Sequence, residues 1–332
     1  MKTFPCHVKG GVSRSLFAAC AVLIGLVGAS LPAWAQVTWD ANTSTSGPQD
    51  GSSTWSTSDA NLWNGTTDVV WPNLTTSSAI IGANSGAAGT ITTSGSLTLN
   101  AITFNAPGSG TYTLTGGTLG FAGSSPTITA NANATIESAI TSGVGLTKSG
   151  TATLTLSGIV SNTAGTMSIN RGAVTLTGTL TNTSANTFAI GSSNGGMLTI
   201  AGGTMSTSGG GARSLVIAGG AGQSGTVAVT SGFFSPVGML VSEDSGGNGV
   251  FTQSAGTTTI GASNLWLTGN SSTLSVSGGS FTTPTMYTNF GNSNSATTIN
   301  VSGSGSLTAN TVQVGNSGRN GINLNVNVGD GA

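Results

Sequence analysis

Few side chains in this chain could do chemistry, and the first group of them is acidic. Its members are separated by 10, 9 and 9 residues and are Asp40, Asp50, Asp59 and Asp68. Carboxylate oxygens are ligands that Ca²⁺ prefers, but a compact calcium loop places its acidic ligands about two positions apart. We therefore expect structural or solvating roles for these aspartates. Calcium binding stays open, and no metal ligand is assigned.

A second acidic group consists of Glu243 and Asp244, with Asn248 close behind. Two carboxyl groups are what glycoside hydrolysis needs, but they must face each other across a cleft, about 5 to 10 Å apart. Neighbouring residues on a strand point to opposite faces of a sheet. We therefore interpret this pair as part of a surface turn and assign no catalytic residue.

Two glycine-rich stretches resemble known catalytic or binding loops in letters alone. Gly191 to Gly195 matches the G-x-S-x-G nucleophile elbow, which requires a strand-to-helix turn and a histidine partner. Lys148 lies beside a glycine but lacks the G-x-x-x-x-G lead that cradles phosphates. We expect no nucleophile in the first stretch and a solvent-exposed surface lysine in the second.

The first 35 residues are typical of a secretion signal. Lys2, Lys9 and Arg14 precede an apolar run from 16 to 27, and Ala33-Trp34-Ala35 offers a small-x-small cleavage site. A single transmembrane anchor is the alternative, but a span needs about 20 apolar residues, which exceeds this run. We expect export.

Residues 36–332 contain no cysteine and no histidine. Both cysteines and the single histidine lie in the first 35 residues, and the remaining four Lys and Arg face eight Asp and Glu, a formal net charge of −4. This excludes disulfides, Cys or His metal sites and a Ser-His-Asp triad within 36–332. Nucleic-acid binding is also excluded, because it needs clustered basic residues. We expect no cofactor.

An internal repeat with a period of about 24 residues is clearest in the second half. The aligned glycines are 29, 24, 23 and 24 residues apart and are Gly203, Gly232, Gly256, Gly279 and Gly303. Alternating apolar runs precede them, beginning at Met197, Thr226, Val250, Thr273 and Thr298. A second set of runs lies between them, beginning at Ser214, Met239, Asn264, Met286 and Thr311.

The composition of these repeats predicts strands. Gly, Ser, Thr and Asn are poor helix formers, whereas Thr, Val, Ile and Phe in period-2 alternation fit short strands. Two strands per repeat cannot bury an apolar side alone, so the repeats must stack. We predict an all-β protein whose parallel β-solenoid has about ten coils of about 24 residues from Ser94 onward. A sandwich or barrel of short strands is the competing fold.

Residues 36–93 differ from the repeats in being rich in tryptophan, with Trp39, Trp55, Trp63 and Trp71. A stacked column exposes an apolar end and an unpaired strand edge, which terminal segments must cover. We therefore divide the chain into a signal peptide (1–35), an N-terminal cap region (36–93) and solenoid repeats (94–332). Stacking of the tryptophan rings on sugars is the alternative role.

Two consecutive stretches carry a family resemblance. LTKSGTATLTLSG, from Leu146, and MSINRGAVTLTG, from Met167, resemble the autotransporter-associated β-strand repeat of bacterial passenger domains. The opening VTWD at Val37 is similar to the Trp-rich starts of proteins with these repeats. The resemblance implies a right-handed parallel β-helix that is exported to the cell surface, outer membrane or medium and has no catalytic activity of its own.

Autotransporters end in a translocating barrel, and nothing after Thr311 resembles one, so we expect an N-terminal part of a longer protein. The leading functional hypothesis is a non-enzymatic stalk or adhesive segment whose partners are surface glycans or other cell-surface proteins. A polysaccharide-degrading β-helix enzyme and a self-assembling matrix component are the alternatives. The uncharged run Asn323–Val328 (NLNVNV) predicts an open strand edge that could self-associate.

Overall fold

The computed structural model describes residues 36–192, 195–243, 247–269, 271–288, 296–315 and 323–329. The predicted signal segment, together with Ser193 and Asp244, lies outside these residues, so the signal peptide stays a prediction. Within the described ranges the structure is built from 32 strands and a single three-residue 3₁₀ turn at Gly211–Arg213. None of its helical structure is long and apolar enough to cross a lipid bilayer.

The strands are short and follow one another through the whole described region. The first sixteen are β1 (Gln36–Trp39), β2 (Ser53–Trp55), β3 (Leu62–Trp63), β4 (Asp68–Val69), β5 (Ser78–Ile81), β6 (Thr90–Thr93), β7 (Ser96–Leu99), β8 (Ala101–Phe104), β9 (Tyr112–Thr115), β10 (Thr118–Phe121), β11 (Thr127–Ala130), β12 (Ala134–Ile136), β13 (Ala139–Ser142), β14 (Leu146–Ser149), β15 (Thr153–Leu156) and β16 (Ile159–Asn162). The others are β17 (Met167–Ile169), β18 (Gly172–Leu176), β19 (Thr179–Asn182), β20 (Phe188–Ile190), β21 (Gly196–Thr207), β22 (Leu215–Ile217), β23 (Ser224–Ser235), β24 (Met239–Val241), β25 (Asn248–Gln253), β26 (Thr257–Thr259), β27 (Leu265–Leu267), β28 (Ser271–Val276), β29 (Ser280–Thr288), β30 (Ala296–Val301), β31 (Ser306–Val314) and β32 (Asn323–Val328).

The strands form three parallel ladders, and each coil contributes one strand to each ladder. Face A contains β1, β5, β8, β11, β14, β17, β20, β22, β24, β27 and the second halves of β29 and β31. Face B contains β2, β6, β9, β12, β15, β18, the first halves of β21 and β23, β25, β28, β30 and β32. Face C contains β7, β10, β13, β16, β19, the second halves of β21 and β23, β26 and the first halves of β29 and β31.

This architecture confirms the predicted all-β parallel solenoid of about ten coils. In the described residues the only antiparallel pairs are β1 with β3 and β3 with β4, both near the N-terminal end. No antiparallel pair occurs in the described part of 197–310, so a sandwich or barrel is excluded there. Parallel pairing already includes β5 and β6, which precede Ser94.

The predicted repeat agrees with the observed register except in two details. Met197, Thr226, Val250, Thr273 and Thr298 occupy equivalent positions in successive coils, as their sequence alignment indicates. The first correction is that a coil has three strands, because the corner segments between the two aligned runs pair as well. The second concerns the last glycine: Ser280 is opposite Ser306, which aligns Gly279 with Gly305 and not with Gly303.

Period-2 alternation explains which side chains form the core. On face B the inward position is apolar in six successive coils, with Leu114, Ile136, Leu156, Leu176, Ile200 and Val229. Each of these side chains is at most 6% exposed. Every coil thus buries its apolar side chains against the same positions of its two neighbours, and the core runs continuously along the column.

Aromatic side chains fill the core where the coils are longer. The ring centroid of Phe251 lies 5.8 Å from that of Phe234 and 5.3 Å from that of Phe281, so rings from faces B and C meet in the centre. All three side chains are fully buried. Larger coils have more interior volume, and phenylalanine fills it without leaving a void.

A polar column lies inside face C, where the strands end. Ser142, Asn162, Asn182 and Thr207 occupy equivalent positions in consecutive coils and are buried. The Asn162 side-chain Nδ2 donates to Asn182 Oδ1 at 2.7 Å and to the Gly165 carbonyl at 3.3 Å. The first bond links neighbouring coils and the second lies within one coil, and both satisfy part of the polar surface that burial removes from water.

We predict that replacing Phe234 by alanine destabilises the column locally. The change removes a buried ring that contacts Phe251 and leaves a cavity, which costs about 3 to 5 kcal/mol for Phe→Ala. Phe233→Ala is the matched control, because the neighbouring ring is 60% exposed on the outer surface and its loss is worth about 0.5 kcal/mol or less. Urea denaturation followed by circular dichroism, with hydrogen exchange at β23 and β25, measures both. Equal effects of the two changes would contradict this packing.

Candidate functional site

Three of the four cap tryptophans are buried. Trp39, Trp55 and Trp71 are at most 2% exposed, and the rings of Trp55 and Trp71 meet edge to face at a centroid distance of 5.0 Å. Trp71 Nε1 donates to the Thr98 carbonyl at 3.0 Å, and Trp39 Nε1 donates to the Gly51 carbonyl at 3.1 Å. Buried rings have no face for a sugar. Among the four, this leaves only Trp63 partly exposed, and the cap role of this region stays a prediction.

Asp50 joins the segment after β1 to the turn between β5 and β6. Its carboxylate accepts hydrogen bonds from the backbone amides of Ala83, Ser85 and Gly86 at 2.7 to 3.1 Å, and from the Tyr112 hydroxyl at 2.8 Å. Partial burial acts to raise the pKa of Asp50, but these donors outweigh it and lower the pKa below its usual value. Burial and the Asp50 contact raise the pKa of Tyr112.

The other three aspartates separate into two kinds. Asp59 is exposed and accepts a hydrogen bond from the Ser56 hydroxyl at 2.7 Å, which fits a local turn. Asp40 is fully buried, and the structure brings its carboxyl into contact with that of Asp68, 28 residues away. The even sequence spacing gave no signal of this pairing, because it depends on β1 and β4 both pairing with β3.

The prediction that Lys148 lies on the surface is wrong. Its side chain points into the column between Ile128 and Ile169 and is 5% exposed. Nζ donates to the carbonyl oxygens of Gly150, Ala152 and Arg171 at 2.7 to 2.8 Å, the first two in its own coil and the third in the next. Burial lowers the pKa of Lys148 to about 8. The amine therefore ties together the A-to-B corners of two coils.

The remaining candidates show no catalytic arrangement in the described residues. Glu243 forms an exposed ion pair with Arg213, and its sequence neighbour Asp244 lies outside the described residues. Asn248 begins β25. Gly191 and Ser192 lie in a connection from β20 to β21, two strands, whereas the nucleophile elbow requires a strand followed by a helix.

Rows of hydroxyl side chains cover the outer faces. On face B, six successive coils place threonine at one outward position, with Thr90, Thr113, Thr135, Thr155, Thr175 and Thr199. Hydrogen-bonded strands are about 4.8 Å apart, so the row repeats at that interval. On face A, Thr129 and Ser149 hydroxyls lie 2.9 Å apart, and those of Thr147 and Ser168 lie 3.1 Å apart. The outer surface is thus polar but nearly uncharged.

An aromatic pair interrupts the hydroxyl rows on face A. Trp266 and Tyr287 occupy equivalent outward positions in neighbouring coils, and their rings stack at 4.2 Å and 18°. Leu240 occupies the equivalent position in the previous coil. Because the two rings stack along the column axis, their faces contact one another and only their edges point outward.

Fold and surface together define an all-β solenoid repeat protein with a Trp-rich N-terminal region. The chain is similar to the adhesin BmaC autotransporter of Brucella suis biovar 1 (strain 1330), with 33% identity over 224 residues. The match covers 63% of this chain but only 6% of that adhesin, so the chain spans a small part of its relative. This confirms the resemblance to autotransporter passenger segments. No protein-family profile matches the chain, and no solved structure does.

We predict that Asp50→Asn loosens the cap. An amide cannot accept from all the donors that now surround the two carboxylate oxygens, and hydrogen bonds to a charged group are worth about 1.5 to 3 kcal/mol. Because the native pKa is lowered, the wild-type contribution is complete above the unfolded value near 3.8 and is lost as the pH falls through the native value. Tryptophan fluorescence against urea, at pH 7 and through the acid range, measures this. A variant as stable as wild type at pH 7 would contradict it.

We predict that the stability difference between wild type and Lys148→Met depends on alkaline pH. The native pKa of about 8 lies below the ordinary 10.5, so between these values the unfolded state binds more protons than the native state. Stability then rises with pH in that window, and the wild type gains relative to the methionine variant. Thermal unfolding of both proteins at pH 7, 9 and 10.5 tests this. If the wild type instead loses stability relative to the variant as the pH rises, the three carbonyl acceptors raise the pKa of Lys148, and the predicted lowering is wrong.

Proposed function

We propose that this chain is an adhesive segment of an exported autotransporter passenger, displayed at the cell surface. The similarity to an autotransporter adhesin supports adhesion and export, and the long parallel solenoid is suited to hold a binding surface away from a membrane. Non-enzymatic action is part of the proposal. This chain matches only a small part of that adhesin. An adhesive activity of this chain is therefore inferred from the relative.

Face B is the surface we assign to adhesion. Its row of six outward threonines is uninterrupted over six coils and lies on a ladder of parallel strands. The equivalent row on face C is interrupted by Gly120, and another outward row there exposes Ile159 and Phe233. A regular row of hydroxyl groups can donate and accept hydrogen bonds to a polar, uncharged partner such as a neutral glycan.

The low surface charge predicts how binding should respond to salt. Lys148 is buried, and the described residues from Ser78 onward present Glu137, Arg171, Arg213 and Glu243 as their outward charges. Binding through so few charges should depend weakly on ionic strength, because salt screens charge interactions and leaves hydrogen bonds in place. Self-association through β32, where Val326 and Val328 are exposed, stays a prediction.

The test is attachment of a non-adherent bacterium that displays the chain on a surface carrier. We expect attachment to glycan-coated or matrix-coated surfaces above that of the carrier alone, with little change between low and high salt. A triple change on face B, Thr135→Lys with Thr155→Glu and Thr175→Lys, should lower attachment about tenfold, which corresponds to about 1.4 kcal/mol. The alternating charges avoid repulsion between neighbouring coils.

The matched control carries the same three charges on face C, as Thr141→Lys, Ser161→Glu and Thr181→Lys. It should keep attachment near the wild-type level, and circular dichroism should show both triples folded. If the face C triple alone abolishes attachment, face B is not the adhesive surface. If the displayed chain attaches no better than its carrier, or cleaves the glycans offered to it, the adhesive non-enzymatic function is wrong.

A further inference from the structure

The N-terminal part of the column carries negative charge that no side chain of that part balances. Residues 36–147 contain no Lys, Arg or His, and their five acidic residues are Asp40, Asp50, Asp59, Asp68 and Glu137. Asp50 is surrounded by hydrogen-bond donors, and Asp59 is exposed and bonded to Ser56. Glu137 is exposed, which leaves Asp40 and Asp68 as the acidic residues with a buried carboxyl oxygen that receives no donor from the described residues.

Asp40 has a buried carboxyl group that is only partly hydrogen-bonded. Its side chain is 0% exposed, and Oδ1 accepts the backbone amides of Asn42 at 2.9 Å and Gln49 at 3.2 Å. The other oxygen, Oδ2, is also buried, but it receives no donor from the described residues. A buried carboxylate oxygen without a donor is costly unless something else compensates its charge.

Asp68 presents a second oxygen of the same kind to the same place. Its Oδ1 is buried and receives no donor from the described part of the chain. Asp40 directly follows β1 and Asp68 begins β4, and both strands pair with β3, so the fold brings the two carboxyls together. The Asp68 side chain is in contact with the carboxyl of Asp40, so the two oxygens lie close together.

We propose that Asp40 and Asp68 together bind a divalent cation, calcium, at the N-terminal cap. The donor set consists of hard carboxylate oxygens, which is what calcium prefers, and water at the partly exposed Asp68 side can complete its coordination. The cation supplies the positive charge that residues 36–147 lack. By joining the end of β1 to the start of β4, it fastens the antiparallel cap strands over the first coil.

The test is calcium titration of the full chain after removal of metal with a chelator. Tryptophan fluorescence reports on the cap, because Trp39, Trp55, Trp63 and Trp71 lie there. We expect added CaCl₂ to raise the thermal midpoint of the fluorescence transition and to saturate with a Kd on the order of 10⁻⁴ to 10⁻³ M, as in extracellular calcium modules. Magnesium at the same concentration should act more weakly, because it gives up its water ligands reluctantly.

Asp68→Asn separates the proposal from its alternatives. The variant should lose the calcium-dependent shift and, in chelator, unfold at a higher temperature than metal-free wild type, because the repulsion is gone. Asp59→Asn is the matched control, an aspartate of the same cap that should keep the calcium response. Isothermal titration calorimetry of the three proteins gives the same comparison without heating.

Two outcomes would overturn the proposal. If calcium has no effect at neutral pH while mild acid alone stabilises the cap, the carboxyls share a proton and bind no metal. If calcium stabilises Asp68→Asn as much as wild type, the cation binds elsewhere. Both results are measured without an adhesion assay. The calcium site and the proposed function are therefore tested independently of one another.

Discussion

In-register hydrogen bonding between successive coils is the constraint on which the rest of this structure depends. A strand of three or four residues cannot satisfy its backbone polar groups alone, and here it does so only through the coil before and the coil after. Across the described strands, face A runs from β1 to β31, face B from β2 to β32 and face C from β7 to β31. Corners are included as well, as where the Gly178 amide donates to the Leu156 carbonyl at 3.1 Å. Every other feature must keep that register.

The register determines where glycine is required. At the corner after β14, Gly150 has a φ of +75°, and a Cβ there would lie 2.2 Å from the Ala130 carbonyl oxygen of the previous coil. Gly172 begins β18 at the same corner one coil later, with a φ of +66°, and a Cβ there would lie 2.6 Å from Lys148 Nζ. Both conditions exclude a side chain. Glycine at this corner thus lets consecutive coils approach closely.

Much of the fold could be predicted because each sequence repeat forms one coil, and equivalent positions of successive repeats stack on one another. Runs such as those at Val250 and Thr273 alternate with period 2 and recur at coil length, so both strand and stacking are encoded locally. Three strands per coil were missed because the corner segments are short and vary in length. Lys148 was misplaced although the signal was present: it lies two residues after the inward Leu146, and alternation alone places it inside. A charged side chain ordinarily favours the surface, but here three carbonyl acceptors compensate the buried amine.

The Asp40–Asp68 pair could not be predicted from spacing, because antiparallel strands in the cap bring together residues that no repeat relates. This difference between cap and column has a physical basis. In the column, each coil is covered by a nearly identical coil, so identical neutral side chains match one another and charge is a liability when stacked at about 4.8 Å. Within the described residues, the cap region has no equivalent coil on its outer side, because β2 pairs only with β6 and β1 pairs with β5 and the antiparallel β3. It must end the ladders with unlike groups, which are buried indole rings, a carboxylate surrounded by amides and a carboxyl pair. Specific, non-repeating chemistry is therefore concentrated at the end of the column, and the faces between carry the repeated hydroxyl surface.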